Sequence, residues 1–484
     1  MTAPAAENRF STGVWLFLRG LALVHLIAFA SAWSQIHALA GPQGILPAAD
    51  FLTAVREHLG ASAYWQVPTL CWWLGTDAAF HFLCAIGTIA ALLLGLGILP
   101  GPALIALWTC YLSLCGAGQA FFSFQWDVLL LETTLLACFV VPWNWRPGFS
   151  RYNPPRLARL LLVWLLFRLM FLSGVVKLTS GDPVWANLTA LSYHFETQPL
   201  PTPFAWYAHQ LPGWLLRIAC AIMFFIELVV PWLYFAPWRR IRHAAAWAII
   251  ALMLGIAFTG NYTFFNLLTI VLCLPLLDDA FWRRAPATES PTMRFVPSKA
   301  LVASAAFIVC VTTVQAVPFV WRNVSLPKPM TAALEVIAPW RSLNNYGLFM
   351  VMTTQRPEIV IEGSRDGRTW EAYEFRHKPG DLSHSPTWVA PHQPRLDWQM
   401  WFAALGSPQQ NRWVLNLAEK ILRGEPKVTG LFANNPFPDE PPRHLRAVLY
   451  TYRFTDAATR RETGRWWTRV PEDYYLSSLS LQKP

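Results

Sequence analysis

Charge is scarce in this chain: Asp, Glu, Lys and Arg make up only 14% of its 484 residues, against 54% hydrophobic residues. That imbalance excludes an ordinary soluble domain for most of its length and points to the membrane class. Lysine is scarcer still, because Lys177 alone precedes Lys299 while arginine is used freely. Cysteine stops at Cys310, so the remainder has no disulfides. None of the cysteines forms C-x-x-C, which removes the basis for thioredoxin-like chemistry, although Cys110 and Cys115 are near enough in sequence to pair transiently. There is no phosphate-cradling glycine loop, no G-x-S-x-G and no H-E-x-x-H, so soluble hydrolases and nucleotide-dependent enzymes lose their support. The net charge of +10 does not signal nucleic acid, since the arginines stand in short clusters between apolar runs. No nucleic-acid partner, metal or cofactor is expected.

What is present is a series of apolar segments. A bilayer asks for about 20 apolar residues per helix, and segments approaching that length run Val14 to Trp33, Ala79 to Leu99, Ala103 to Phe122, Asp127 to Val141, Leu157 to Val176, Trp214 to Phe235, Ala244 to Phe258, Phe264 to Leu277 and Ala300 to Val320. The Asp127, Ala244 and Phe264 segments fall at or below the spanning limit, so about nine spans are expected with those three in question. Basic residues collect on alternate loops: Arg146, Arg151 and Arg156, then Arg239, Arg240 and Arg242, then Arg283, Arg284, Arg294 and Lys299. By the positive-inside rule this puts the N-terminus in the cytoplasm and everything after Trp321 outside, with the loops Ser34 to Asp77 and Thr179 to Gly213 on that same outer side. Arg9, Arg19 and Ala30-Ser31-Ala32 give the first segment a signal-peptide look, but its apolar run continues to Trp33 and favours an uncleaved anchor.

The expected division is therefore a helical domain over residues 1–320 and a β-rich domain over 321–484. In the latter, Tyr346 to Met352, Glu358 to Glu362, Trp370 to Phe375 and Leu445 to Phe454 read as strands, and Asp366-Gly367 reads as a hairpin turn. A small β-sandwich-like α+β frame follows, with Asp397 to Leu405 and Gln410 to Arg423 as helices and the Pro-rich Asn435 to Pro442 as a connector. Trp388, Trp398, Trp401, Trp466 and Trp467 exceed the needs of a small core and are expected to seal the domain onto the membrane surface or the outer loops.

Charges at lipid depth are costly, which makes Arg19, Asp127, Glu132, Arg168, Lys177 and Glu227 the places to look for chemistry. The simplest account is an intramembrane network in which opposite charges on neighbouring helices neutralise one another. Lys177 stands apart, because a desolvated amine can lose its proton and act as a base or nucleophile where arginine cannot. It enters a turn-rich loop at Ser180-Gly181-Asp182-Pro183. In the same loop His194, Glu196 and His209 lack a fixed third ligand spacing and make a weak metal set. Asn187, Asn261 and Asn323 each open an N-x-Ser/Thr triplet, a pattern common by chance.

Several long strings resemble the lipase maturation factor family. They are Ser173 to Leu178, Asn187 to Leu191, Tyr193-His194, Glu196 to Pro201 with Gln198 inside it, Trp206 to Gln210, Ser123 to Asp127, Tyr346 to Phe349, Glu362 to Ser364 and Pro391 to Leu405. The resemblance spans nearly the whole chain. It implies a membrane protein, in the endoplasmic reticulum of animals or the inner membrane of bacteria, with its C-terminal domain lumenal or periplasmic. Its role would be a chaperone-like one, helping secreted clients such as lipases to fold and assemble. On that reading Asp182, Trp185, His194, Glu196, Gln198, Trp206, His209, Arg395, Asp397, Trp398 and Trp401 form the client surface. A shorter string, Gly174 to Leu178 with Trp185 following, is similar to vitamin K-dependent γ-carboxylases. That likeness implies the alternative of a membrane enzyme in which Lys177 is the base acting on a lipid or quinone.

Overall fold

The structure, a computed structural model, describes residues 9–74, 76–145, 152–283, 294–322 and 324–481. Arg146, Arg151, Arg284 and Asn323 lie outside the described residues. The bundle begins with α1 (Ser11–Trp33), α2 (Thr76–Leu96), α3 (Pro100–Ala117), α4 (Gln125–Val140) and α5 (Arg156–Thr179). After two short outer-loop helices, α6 (Leu191–Thr197) and α7 (Pro203–His209), it continues with α8 (Gly213–Leu228), α9 (Arg239–Thr259), α10 (Phe265–Cys273) and α11 (Ser298–Val320). Seven of these are long and apolar enough to cross a membrane, α8 gaining that length from the turn that carries it to Phe235. The doubtful Ala244 segment proves full length, because Arg239 to Arg242 wind into the same 21-residue helix. The Asp127 and Phe264 segments stay short: α4 has 16 residues and α10 has 9. α4 is also the helix that carries Asp127 and Glu132, both wholly buried in protein rather than facing lipid.

The two ends of the bundle differ in chemistry. At one end Arg242 pairs with Asp278 at 3.1 Å, Arg159 donates to the Pro275 carbonyl at 3.1 Å, and Asp279 receives Ser11 Oγ at 2.6 Å and the Thr12 amide at 2.7 Å. At the other end the Thr259 carbonyl, closing α9, accepts from the Thr202 amide at 3.2 Å, and Gln35, just past α1, donates to the Gln393 carbonyl at 2.6 Å. A 21-residue helix is about 30 Å long, so the arginine-bearing end and the end that meets the C-terminal residues are separated by the thickness of a bilayer core. The described cysteines are unpaired, and all but Cys310 are buried, Cys110 and Cys115 included.

The C-terminal domain is one antiparallel sheet of β1 (Arg356–Ser364), β2 (Glu371–Phe375), β3 (Phe432–Asn434), β4 (His444–Phe454) and β5 (Trp467–Leu479), ordered β3-β2-β1-β4-β5. The β1–β2 hairpin turns at Gly367, whose φ of +71° suits glycine. Its second layer is helical, α12 (Arg395–Ala404) lying on β1 and α13 (Trp413–Leu422) on β4, and no second sheet completes a sandwich among the described residues. The expected strand at Tyr346 to Met352 is the reason. That segment runs against the bundle instead of a sheet: Tyr346 is buried and its hydroxyl donates to Glu132 Oε2 at 2.7 Å. At Gly347 a Cβ would meet Val176 at 3.1 Å and Phe319 at 3.2 Å, tighter than ordinary contact, so the chain passes close against α5 and α11.

Buried charge fastens the domain to the bundle. Arg395, with no exposed surface, bonds Asp127 through both guanidinium ends at 2.9 and 3.1 Å. It also donates to the Phe121 carbonyl at 2.6 Å, while Tyr111 donates to Asp127 Oδ1 at 2.6 Å. Five residues further along α4, Glu132 pairs with Arg168 and accepts from the Asn344 amide at 3.1 Å. Removing one partner of such a pair strands a charge in a dry site, at a cost of about 3–5 kcal/mol. Arg395→Met is therefore expected to lower the melting temperature of the detergent-solubilised protein and to open α12 to proteolysis. An unchanged melting temperature with α12 still protected would show that the pair does not hold the domain.

Candidate functional site

The loop Thr179 to Gly213 and the C-terminal domain meet along a seam, and the residues singled out in sequence lie in it. Arg356, at the start of β1, is the clamp: its guanidinium donates to the carbonyls of Glu196 at 2.7 Å, Pro199 at 2.8 Å and Gln198. Glu358 neutralises it at 2.8 Å and takes Lys378 at 2.9 Å. Arg356 and Glu358 are two apart on a strand, so both point to the same face. That inward charge pair in an otherwise apolar run was the available signal, and sequence reasoning missed it.

Around this clamp the expected client residues are spent on joining. Asp182 accepts from the Met352 amide at 2.7 Å, Trp185 donates to the Phe349 carbonyl at 3.1 Å, Trp206 to the Thr455 carbonyl at 2.9 Å and Trp401 to the Thr197 carbonyl at 2.9 Å. Glu196 accepts from the Phe454 amide at 2.6 Å and stands 3.7 Å from His209. Gln198 bridges the Thr259 carbonyl at 2.8 Å and the Tyr262 hydroxyl at 3.0 Å. Asp397 sits inside the domain, receiving the amides of His377 at 2.8 Å and Lys378 at 3.0 Å, and burial pushes its carboxyl up from the ordinary range. Trp398 packs edge-on to Trp126 at 4.7 Å. His194 turns away from Glu196 and His209 to lie between Tyr262 and Phe349, and no group of three metal-ligating side chains occurs among the described residues. Asn261 is likewise structural, receiving the amides of Val389 at 2.8 Å and Ala390 at 3.0 Å.

The intramembrane charges sort into local partners. Arg168 belongs to Glu132, and Arg19 lies over the Trp15 ring at 4.6 Å. Lys177 and Glu227 pair across α5 and α8, Nζ meeting Oε2 at 2.7 Å and Oε1 at 2.9 Å, with the Ser173 carbonyl accepting the third ammonium hydrogen bond at 3.1 Å. This pair lines a cavity of about 770 Å³ beneath the C-terminal domain, walled also by Trp126, Tyr262, Phe349 and Trp398. The volume lies in the range of small-molecule sites. A lysine held this way is a neutralised cation with every donor used, and the arrangement anchors polar groups at the wall of an apolar chamber.

Two measurements follow from this geometry. Lys177→Met leaves Glu227 unpaired and should cost about 3–5 kcal/mol, whereas Lys177→Met with Glu227→Leu should recover most of that loss; equal destabilisation by both variants would contradict the pairing. Burial pulls the His194 imidazole from 6.5 down to about 4, so between those values the unfolded chain binds a proton that the folded chain does not. Stability should fall as pH drops from about 6.5 to about 4. His194→Phe should flatten that part of a melting-temperature profile, and an unaltered slope would assign the effect to other groups.

Comparison with known proteins covers both parts of the chain. Residues 12–284 match the lipase maturation factor transmembrane domain and residues 342–477 match the lipase maturation factor C-terminal domain. The chain is 38% identical to lipase maturation factor 2 of Homo sapiens, over 97% of this chain and 83% of the relative. It is 33% identical to lipase maturation factor 1 of Bos taurus, over 96% of this chain and 89% of the relative. No solved structure matches it. By length of match and by identity, this integral membrane protein belongs to the lipase maturation factor family.

Proposed function

We propose that the chain is a membrane-bound maturation factor that holds incompletely folded secreted proteins, lipases among them, on the side of the membrane away from the cytoplasm. The observation that carries this reading is the seam itself: Arg356 and Arg395 make the outer loops and the C-terminal domain one continuous platform. Arginine placement supports an outer position for that platform, since Arg159, Arg239 and Arg242 lie at the opposite end of the bundle. The compartment is then the lumen of the endoplasmic reticulum in a eukaryote and the periplasm in a bacterium. The division falls near residue 320, where α11 ends.

Because the seam consumes most of the marked residues, client contact falls to the aromatics that remain exposed beside it. Phe204 and Tyr207 on α7 and Trp388 on the domain are about half exposed (48%, 53% and 50%), and Phe204 and Trp388 meet edge-to-face at 5.7 Å. Exposed apolar groups of this kind mark interaction surfaces, and truncating an aromatic anchor costs about 2 kcal/mol of binding. A Phe204→Ser, Tyr207→Ser, Trp388→Ser variant co-expressed with a secreted lipase should lose at least about tenfold in active secreted lipase and in crosslinked client. Its membrane insertion and abundance should be unaltered. Full lipase activity from the triple variant would overturn the assignment of this surface.

A further inference from the structure

The cavity at Lys177 adjoins the seam, sharing Pro199, Met352 and Trp401 with it, and lies apart from the exposed aromatics. Its walls are apolar and aromatic apart from the Lys177–Glu227 pair and the polar side chains of Ser123, Gln125, Ser173, Thr353 and Gln399. Three of its rim residues, Val351, Phe402 and Leu405, are 60%, 44% and 44% exposed, so the way in is greasy. A water-soluble metabolite gains nothing from such an entrance. A hydrocarbon chain finds in it surroundings as apolar as the lipid it leaves.

The polar end of the occupant is set by charge. Lys177 and Glu227 cancel, and the ammonium has no free donor because Ser173 and both Glu227 oxygens take all of its hydrogen bonds. A carboxylate or phosphate head would bring an unmatched charge into a dry site. What the pair still offers is the remaining lone pairs of the Glu227 carboxylate, which accept from a hydroxyl.

We propose that this cavity binds an uncharged lipid bearing a free hydroxyl, of the kind a monoacylglycerol represents, its hydroxyl at the Lys177–Glu227 pair and its chain along the apolar wall. This inference rests on the cavity and not on client binding, so either can fail alone.

The test uses the full-length protein in phosphatidylcholine nanodiscs with a monooleoylglycerol that carries a diazirine in its chain. Photolabelling should fall on the wall segments around Trp126 and Met170 and be displaced by unlabelled monooleoylglycerol but not by oleate. Met170→Trp, which fills the chamber from α5, should reduce that labelling by about tenfold. Ser173→Leu on the same helix provides a second filling substitution if the first fails to fold. Labels scattered over the exposed surfaces of α8 and α11 and insensitive to both substitutions would overturn the site. Displacement by oleate as readily as by monooleoylglycerol would overturn the requirement for a neutral head.

Discussion

The contact between Arg395 and Asp127 links residues 268 apart across the boundary between two kinds of structure. Asp127 sits in the first turn of α4, where the amide dipoles favour a negative charge, and Tyr111 and Arg395 close around it. Such a pair adds little net stability, because desolvating both charges consumes most of the Coulombic gain. Its effect is to penalise every other docking of α12, since any shift leaves a charge uncompensated. With α12 held, Trp398 is brought against Trp126 and Trp401 against the Thr197 carbonyl. The roof of the cavity and one half of the seam thus descend from a single ion pair.

The second half of the seam uses the same device, an arginine of the C-terminal domain reaching across to the membrane part. Arg356 comes from the sheet and gathers the carbonyls of Glu196, Gln198 and Pro199, where the outer loop leaves α6 and its acceptors would otherwise go unmet. An arginine suits both places because its planar fork reaches several acceptors at once. The outer loop is therefore a rigid part of the platform, held between α9 at Thr259 and β1 at Arg356.

How legible these features were depends on how local their causes are. The long apolar helices, the Asp366-Gly367 hairpin and the helices near Asp397 and Gln410 follow from periodicity and turn chemistry within a short window. β5 escaped because most of it is exposed and it carries Pro471, Glu472 and Asp473, which erase the alternation of a half-buried strand. Tyr346 to Met352 reads as a strand by composition, but Tyr346 enters the bundle to reach Glu132 and Gly347 passes close to α5 and α11. For the intramembrane charges, pairing could be anticipated from cost alone. Identifying the partner was possible for neighbouring helices but not for Asp127, whose partner lies in the other domain. The marked loop residues were recognised as a group, yet their spacing could not say whether they face a client or the protein's own domain.

Lys177 shows how geometry can replace a chemical explanation. A lone lysine among arginines suggests a need for a deprotonatable amine, and the γ-carboxylase likeness leans the same way. In the structure the ammonium must reach back one turn to the Ser173 carbonyl while touching both oxygens of Glu227. That is a compact, tetrahedral demand at one point, which a single nitrogen with three donors meets. A guanidinium on the same Cα would carry its charge farther and spread it in a plane, pushing Glu227 away or entering the cavity. Where this protein must bridge a seam it uses Arg356 and Arg395; where it must close a charge within a wall it uses Lys177. The choice of residue is accounted for by the shape of the neutral pair, and that neutrality is what leaves the adjoining chamber fit for an uncharged occupant.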